Sequence, residues 1–188
     1  MEQPELFRYT LDLLEQLGIT YFVVGSLASM AYGEPRSTLD IDIVIDPTEA
    51  QLKSLLEGYP DNDFYVSHEA ARTALKQRSQ FNVIRPDSGN TIDFMIARGD
   101  AWSKEQIAGR RRLKLLPDRE GFAARVEDVI LGKLAYFKEG GSEKHLRDIG
   151  GILKMSAGRI DQSYIDRWIH DLDLRNEWLA VLERIKEE

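Results

Sequence analysis

Two aspartates one residue apart, Asp40 and Asp42, interrupt the otherwise apolar stretch LDIDIVID. Side chains alternate along a strand, so Asp40 and Asp42 share one face while Leu39, Ile41, Ile43 and Ile45 share the other. The two carboxylates then lie roughly 7 Å apart at the backbone, from the rise per residue. At an effective dielectric near 20, their repulsion is on the order of 2 kcal/mol. A divalent cation would remove it, and hard oxygen ligands without Cys or His point to Mg²⁺ or Mn²⁺. Asp93 lies in TIDFMIA, where Thr91, Asp93 and Met95 face away from Ile92, Phe94 and Ile96. If that strand neighbours the Asp40 strand, a third carboxylate joins the same face. Three carboxylates can hold two metal ions, one activating an attacking oxygen and one binding a triphosphate. The plain alternative is an amphipathic edge strand with solvated aspartates.

Gly25-Ser26 follows an apolar run and opens a small-residue segment. Such a junction offers backbone N–H groups and the positive end of a helix dipole to a phosphate. It also reads as an ordinary strand-to-helix turn capped by Ser26. Lys133 falls within the helical stripe Val126, Val129, Ile130, Leu134 and Phe137. A lysine at a core interface needs an anionic partner, a triphosphate or a carboxylate, or it extends its amine to water. Asp148 either pairs with Lys133 across two helices or stands solvated. Arg110, Arg112 and Lys114 share a strand face that reads as a solvated edge or a backbone-phosphate contact. His68, His145 and His170 have no metal-ligand spacing. Tyr164, Trp168 and Trp178 lie at helical spacing and read as core or a partner surface.

These residues must be positioned by an α/β front part. Pro4 opens a helix through Leu6, Tyr9, Leu13 and Leu17, ended by Gly18. Residues 19–24 are a strand, 26–32 a short helix and 39–45 a strand. Asp46-Pro47 reads as cap and first residue of a helix to about Glu57. A weaker helix spans 67–77. Strands 81–85 and 91–97 form a hairpin across PDSGN, which makes an all-parallel sheet unexpected. Ser103 and Gln106 resemble a capping box for a short helix, and residues 110–116 are a strand. From Val126 the pattern is helical to the end. The expectation is an α+β fold: a small mixed, mostly antiparallel sheet flanked by helices over residues 1–120, then a helical subdomain over 121–188.

The chain has 188 residues, 43% hydrophobic and 30% charged, enough for a real core. It has no cysteine, which fits a cytoplasmic location. Net charge of −7 argues against a general nucleic-acid coat protein. No stretch is long and apolar enough for a membrane span.

In order and spacing, Gly25-Ser26, the Asp40-x-Asp42 pair and the later Asp93 resemble the polymerase-beta-like nucleotidyltransferase superfamily. The resemblance implies transfer of a nucleoside monophosphate from an NTP to an acceptor hydroxyl, with release of pyrophosphate. It implies that Gly25 and Ser26 hold the β/γ-phosphates and that Asp40, Asp42 and Asp93 bind Mg²⁺ or Mn²⁺. A nearer likeness is to AbiEii-type nucleotidyltransferases of toxin–antitoxin systems, through Arg36-x-Thr38-x-Asp40-x-Asp42, Lys133-Leu134 and Arg147-Asp148. That adds Arg36, Lys133 and Asp148 to the nucleotide-binding set, and Lys133 to the catalytic residues. The implied partners are an acceptor RNA, a tRNA end among them, or a protein, and an antitoxin-type protein. A catalytically silent nucleotide-binding or protein-complex module of the same fold is the alternative. A sugar-nucleotide glycosyltransferase using Asp-x-Asp is a more distant one.

Overall fold

The computed structural model describes residues 1–33, 40–156 and 158–187. A seven-stranded mixed sheet carries the site. Its strands are β1 (Thr20–Val23), β2 (Asp40–Asp46), β3 (Tyr65–Val66), β4 (Gln80–Arg85), β5 (Asn90–Ile96), β6 (Arg111–Leu116) and β7 (Arg119–Ala123). Across the sheet the order is β3-β4-β5-β2-β1-β7-β6. Only β2–β5 and β1–β7 pair in parallel, so the sheet is mostly antiparallel.

Strand alternation divides the interior into two apolar clusters, one on each face of the sheet. Tyr21 and Val23 of β1, Ile41, Ile43 and Ile45 of β2, and Ile92, Phe94 and Ile96 of β5 enter the first. There they meet α1 (Gln3–Gln16), α3 (Glu49–Glu57) and α4 (His68–Gln77) through Leu6, Phe7, Leu11, Leu52, Leu55 and Ala74. Phe22 and Val44 point the other way, into the second cluster. That cluster is built by α2 (Gly25–Tyr32), α6 (Val126–Gly140), α7 (Glu143–Ser156), α8 (Gln162–Asp171) and α9 (Arg175–Glu187), with α5 (Ala101–Gly109) at its edge. Tyr164 and Trp168 are buried in it, in keeping with the core reading of the sequence.

Two helix starts differ from the sequence expectation. Strand β2 continues through Asp46, which pairs with Arg78 at 2.9 Å. The cap of α3 is Thr48, in a reciprocal box with Gln51. Two orphan donors satisfied together outweigh the Asp-Pro signal. For α5 the cap is Asp100, whose Oδ1 accepts the Ser103 N–H at 2.7 Å, while Ser103 Oγ accepts the Gly99 N–H. The face of Arg112 and Lys114 is exposed, and Arg112 pairs with Glu120.

Asp128 ties the helical layer together. Its buried carboxylate accepts from Tyr164 Oη (2.8 Å), Trp102 Nε1 (3.0 Å) and Arg125 Nε (3.0 Å). Replacing it with alanine leaves a guanidinium without its charge partner and two ring donors without acceptors. Asp128→Ala is therefore expected to lower stability by about 3 kcal/mol in urea titration, with Asp128→Asn losing less.

Candidate active site

The register of the parallel pair brings the acidic residues together. Asp42 on β2 stands opposite Asp93 on β5, and Asp40 opposite Thr91. Register partners share a face, so Asp40, Asp42 and Asp93 all lie on the side away from Ile41, Ile43, Ile92 and Phe94. This is the convergence that two strands far apart in sequence had to make.

The corner residues come from the other neighbour of β2. Strand β1 runs antiparallel to it, and the Val24 N–H donates to the Asp42 carbonyl at 2.9 Å. The chain then turns at Gly25 (φ +62°) into α2. Asp42 sits so close that a Cβ on Gly25 would lie 2.0 Å from Oδ2. Ser26, the next residue, is buried, and its backbone N–H favours the charged form of the Asp42 carboxylate. Ser29 Oγ donates to the Gly25 carbonyl at 3.0 Å, fixing the first turn.

This arrangement gives a clean test of the close approach. Gly18 shares the same φ of +62° but has open space where its Cβ would be. Gly18→Ala should incur only backbone strain of about 1 kcal/mol. Gly25→Ala also drives a methyl into a carboxylate, and its loss in urea unfolding should be at least twice that of Gly18→Ala.

Charge is concentrated here. Burial pushes the Asp42 carboxyl above its ordinary value, and the neighbouring Asp40 pushes it further. The Ser26 N–H, Lys133 and Lys144 pull the other way. Burial likewise raises Asp93, reinforced by Asp42 and then Asp40. Lys133 is buried on α6, and its Nζ lies 2.6 Å from Asp148 Oδ2 on α7. The pair thus forms across two helices, while Lys133 also acts electrostatically on Asp42. Arg36 lies outside the described residues, as do Thr38 and Leu39.

Hard carboxylate oxygens that repel one another, beside buried amide donors, are the donor set that suits Mg²⁺ or Mn²⁺. Among the described residues no three His, Asp or Glu side chains close on a single point. The Asp42 carboxylate lies against Gly25 instead.

Sequence reasoning missed three neighbours of the site. Tyr136, one turn after Lys133 on α6, donates from Oη to Met95 Sδ at 3.3 Å and stacks on His145, with ring centroids 5.9 Å apart. Burial raises its hydroxyl pKa, and Asp42 adds to the rise. Lys144 lies one turn before Asp148, so the i, i+3 and i, i+4 spacings were the available signal for both. The third is a cavity of about 200 Å³ beside Asp93, lined also by Ser67, Ala70, Gln80, Phe81 and Asn82. Asn82 stands opposite Asp93 in the β4–β5 register.

No family model and no curated protein sequence matches the chain. Solved structures do resemble it. ANT(2")-Ia in complex with adenylyl-2"-tobramycin superimposes with a TM-score of 0.62 at 14% identity, over 93% of this chain and 97% of that one. The lincosamide antibiotic adenylyltransferase LnuA, lincomycin-bound, gives 0.55 at 17% identity, over 82% and 98%. An antigenic nucleotidyltransferase-like protein from Paracoccidioides brasiliensis gives 0.54 at 17%, over 94% and 91%. The chain has the nucleotidyltransferase fold. At these identities the likeness extends to the fold and no further.

Proposed function

We propose that the protein is a metal-dependent nucleotidyltransferase that moves a nucleoside monophosphate from an NTP to an acceptor hydroxyl. The observation that carries this reading is the Asp42–Asp93 register pair, with Asp40 on the same face, beside the Gly25-Ser26 corner. Asp40, Asp42 and Asp93 would hold Mg²⁺ or Mn²⁺, which when bound neutralises phosphate charge and polarises the phosphoryl group.

The sheet order suits an in-line path on this reading. Gly25-Ser26 lies on the β1 side of Asp42, and the cavity lies on the β4 side of Asp93. A triphosphate held at the corner and an acceptor seated in the cavity approach the α-phosphorus from opposite sides. The acceptor oxygen bonds to the α-phosphorus and its proton passes to the Asp93 carboxylate. The bond from the α-phosphorus to the bridging oxygen breaks, and pyrophosphate leaves. Lys133, oriented by Asp148, offsets the charge growing on pyrophosphate. Arg36 is assigned the same role from its sequence motif.

Acceptors of three kinds follow from the two lines of likeness. The sequence motifs favour an RNA, such as a tRNA end, or a protein, in a toxin–antitoxin setting with an antitoxin-type partner. The matched structures add an antibiotic-like small molecule, since one is in complex with adenylyl-2"-tobramycin and another is lincomycin-bound. On this reading the catalytic unit is residues 1–120 and the helical subdomain residues 121–188. The absence of cysteine supports a cytoplasmic setting. Among the described residues no helix is long and apolar enough to cross a membrane.

Incubation with each α-³²P-labelled NTP, Mg²⁺ and either cell extract or an aminoglycoside and lincosamide panel tests this. The wild type should label one acceptor class and release pyrophosphate. Label that persists in Asp42→Asn would falsify the assignment.

A further inference from the structure

The walls of the cavity beside Asp93 have a chemistry of their own. Among the described residues, β3 pairs with β4 only at Val83 and Ile84, so residues 80–82 border the cavity along an open edge. Gln80 and Asn82 stand opposite Met95 and Asp93 in the β4–β5 register, which puts both amides on the Asp93 face of the sheet. Directly opposed residues of an antiparallel pair hold their Cβ atoms about 5 Å apart. Asn82 and Asp93 therefore meet the same ligand atoms or adjacent ones. Both Gln80 and Asn82 are exposed, so their amides are open to a ligand. Across the cavity, Ser67 Oγ accepts the Ala70 N–H at 3.1 Å and keeps its own proton to donate.

This lining selects by charge and by size. Asp93 is the one charged side chain among the lining residues. A ring carrying several ammonium groups would meet a single carboxylate, and a phosphate would meet no cation. An uncharged ring bearing hydroxyls meets donors and acceptors together. The volume of about 200 Å³ lies below the roughly 300 Å³ from which pockets hold drug-sized ligands, so one ring enters and the rest of the acceptor stays outside.

We propose that the cavity takes a vicinal diol on one uncharged ring, with Asn82 holding the hydroxyl next to the one that attacks, a conclusion that rests on the nucleotidyltransferase reading above. Asp93 receives the proton of the attacking hydroxyl, as already written. The Asn82 amide, one strand away, offers an acceptor and two donors to the neighbouring hydroxyl. Two oxygens on adjacent ring carbons thus match two polar side chains on adjacent strands. The ribose at an RNA 3′ end and the sugar of a small molecule both present this group. A serine or tyrosine of a protein brings no second hydroxyl.

The test supplies the purified protein with Mg²⁺, α-³²P-labelled NTPs and four probes: a short RNA, a lincosamide, an aminoglycoside and a peptide containing serine and tyrosine. Label is expected on a ring diol of the RNA or the lincosamide, and whichever is labelled identifies the source of the ring. Preferential label on the peptide or the aminoglycoside overturns the proposal. The labelled probe is then compared with its analogue lacking the neighbouring hydroxyl. The wild type should favour the diol by about tenfold or more in kcat/KM, and Asn82→Leu should bring that ratio close to one. Asn82→Asp keeps the size of the side chain and places a second carboxylate opposite Asp93, so it should shift preference toward the aminoglycoside. A diol preference that Asn82→Leu leaves intact overturns the role of Asn82, and urea unfolding confirms that both variants fold. If only an extract acceptor is labelled, label at a group without a neighbouring hydroxyl overturns the proposal and label on a ring diol supports it. Transfer to any such single-hydroxyl acceptor leaves the nucleotidyltransferase reading standing. Absence of transfer to every probe and to extract removes that reading, and the diol site with it.

Discussion

Asp42→Asn is expected to lower nucleotidyl transfer by at least about a thousandfold while making the metal-free protein more stable. On the proposed function, the loss follows from removing one of the three carboxylates that share a sheet face and would hold the metal ion. The gain follows from the same charge. Asp42 is partly buried against Asp40 and Asp93, and its carboxyl is raised above its ordinary value by burial first and Asp40 second. A carboxyl whose folded pKa exceeds its unfolded one binds protons more tightly in the folded state. Ionising it therefore costs stability as pH rises from the unfolded value, near 3.9, through the raised folded value. Above that value the full penalty is present. Asn keeps the size of the side chain and carries no charge. In EDTA at pH 8 the variant should melt roughly 2–4 °C higher, corresponding to about 1 kcal/mol after allowance for the exposure of Asp40. The difference should shrink as pH falls through the raised folded value and vanish at about pH 3 and below, where the wild-type group is protonated in both states. Saturating Mg²⁺ should reverse the order, because only the wild type gains from the ion. A melting temperature below wild type in EDTA at pH 8 would mean that the Asp42 charge is compensated within the protein, by Lys133 and Lys144.

The sheet centre was legible because its signal is local. Strict alternation in DIDIVID and TIDFMI dictates which side chains enter the core, and PDSGN marks the hairpin turn. Strand β7 was not legible, because Gly121 at its middle reads as a turn residue. Its real role is close packing: a Cβ there would meet Leu115 Cδ1 at 3.0 Å and Tyr21 Oη at 3.1 Å. The two misplaced helix starts are a competition between caps a few residues apart, decided by geometry that sequence does not display. For the candidate site, residue types and spacing singled out Asp40, Asp42, Asp93 and Gly25-Ser26, which the fold places on and beside β2. What they could not supply was partnership. The approach of Asp42 to Gly25 crosses from strand to helix, the Lys133–Asp148 pair crosses between helices, and Tyr136 reaches Met95 over the sheet. Each depends on tertiary placement.

Lys133 separates support from catalysis. Its ammonium is buried and lies 2.6 Å from Asp148, whose side chain is 12% exposed. Lys133→Met strands Asp148 without its partner in a nearly closed interface between α6 and α7. Stability should fall by about 3 kcal/mol, and nucleotidyl transfer should fall to background. Replacing both members, Lys133→Met with Asp148→Leu, removes the uncompensated charge and fills the space with apolar atoms. Most of the stability should return, since a buried ion pair is often no more stabilising than a well-packed apolar pair. Transfer should not return, because the Lys133 ammonium that the proposed function sets against the leaving pyrophosphate is gone. Urea unfolding and the labelling assay on the same three proteins read the two effects independently. Recovery of both stability and transfer in the double variant would make Lys133 a strut between helices and leave the leaving-group charge to Lys144 or Arg36.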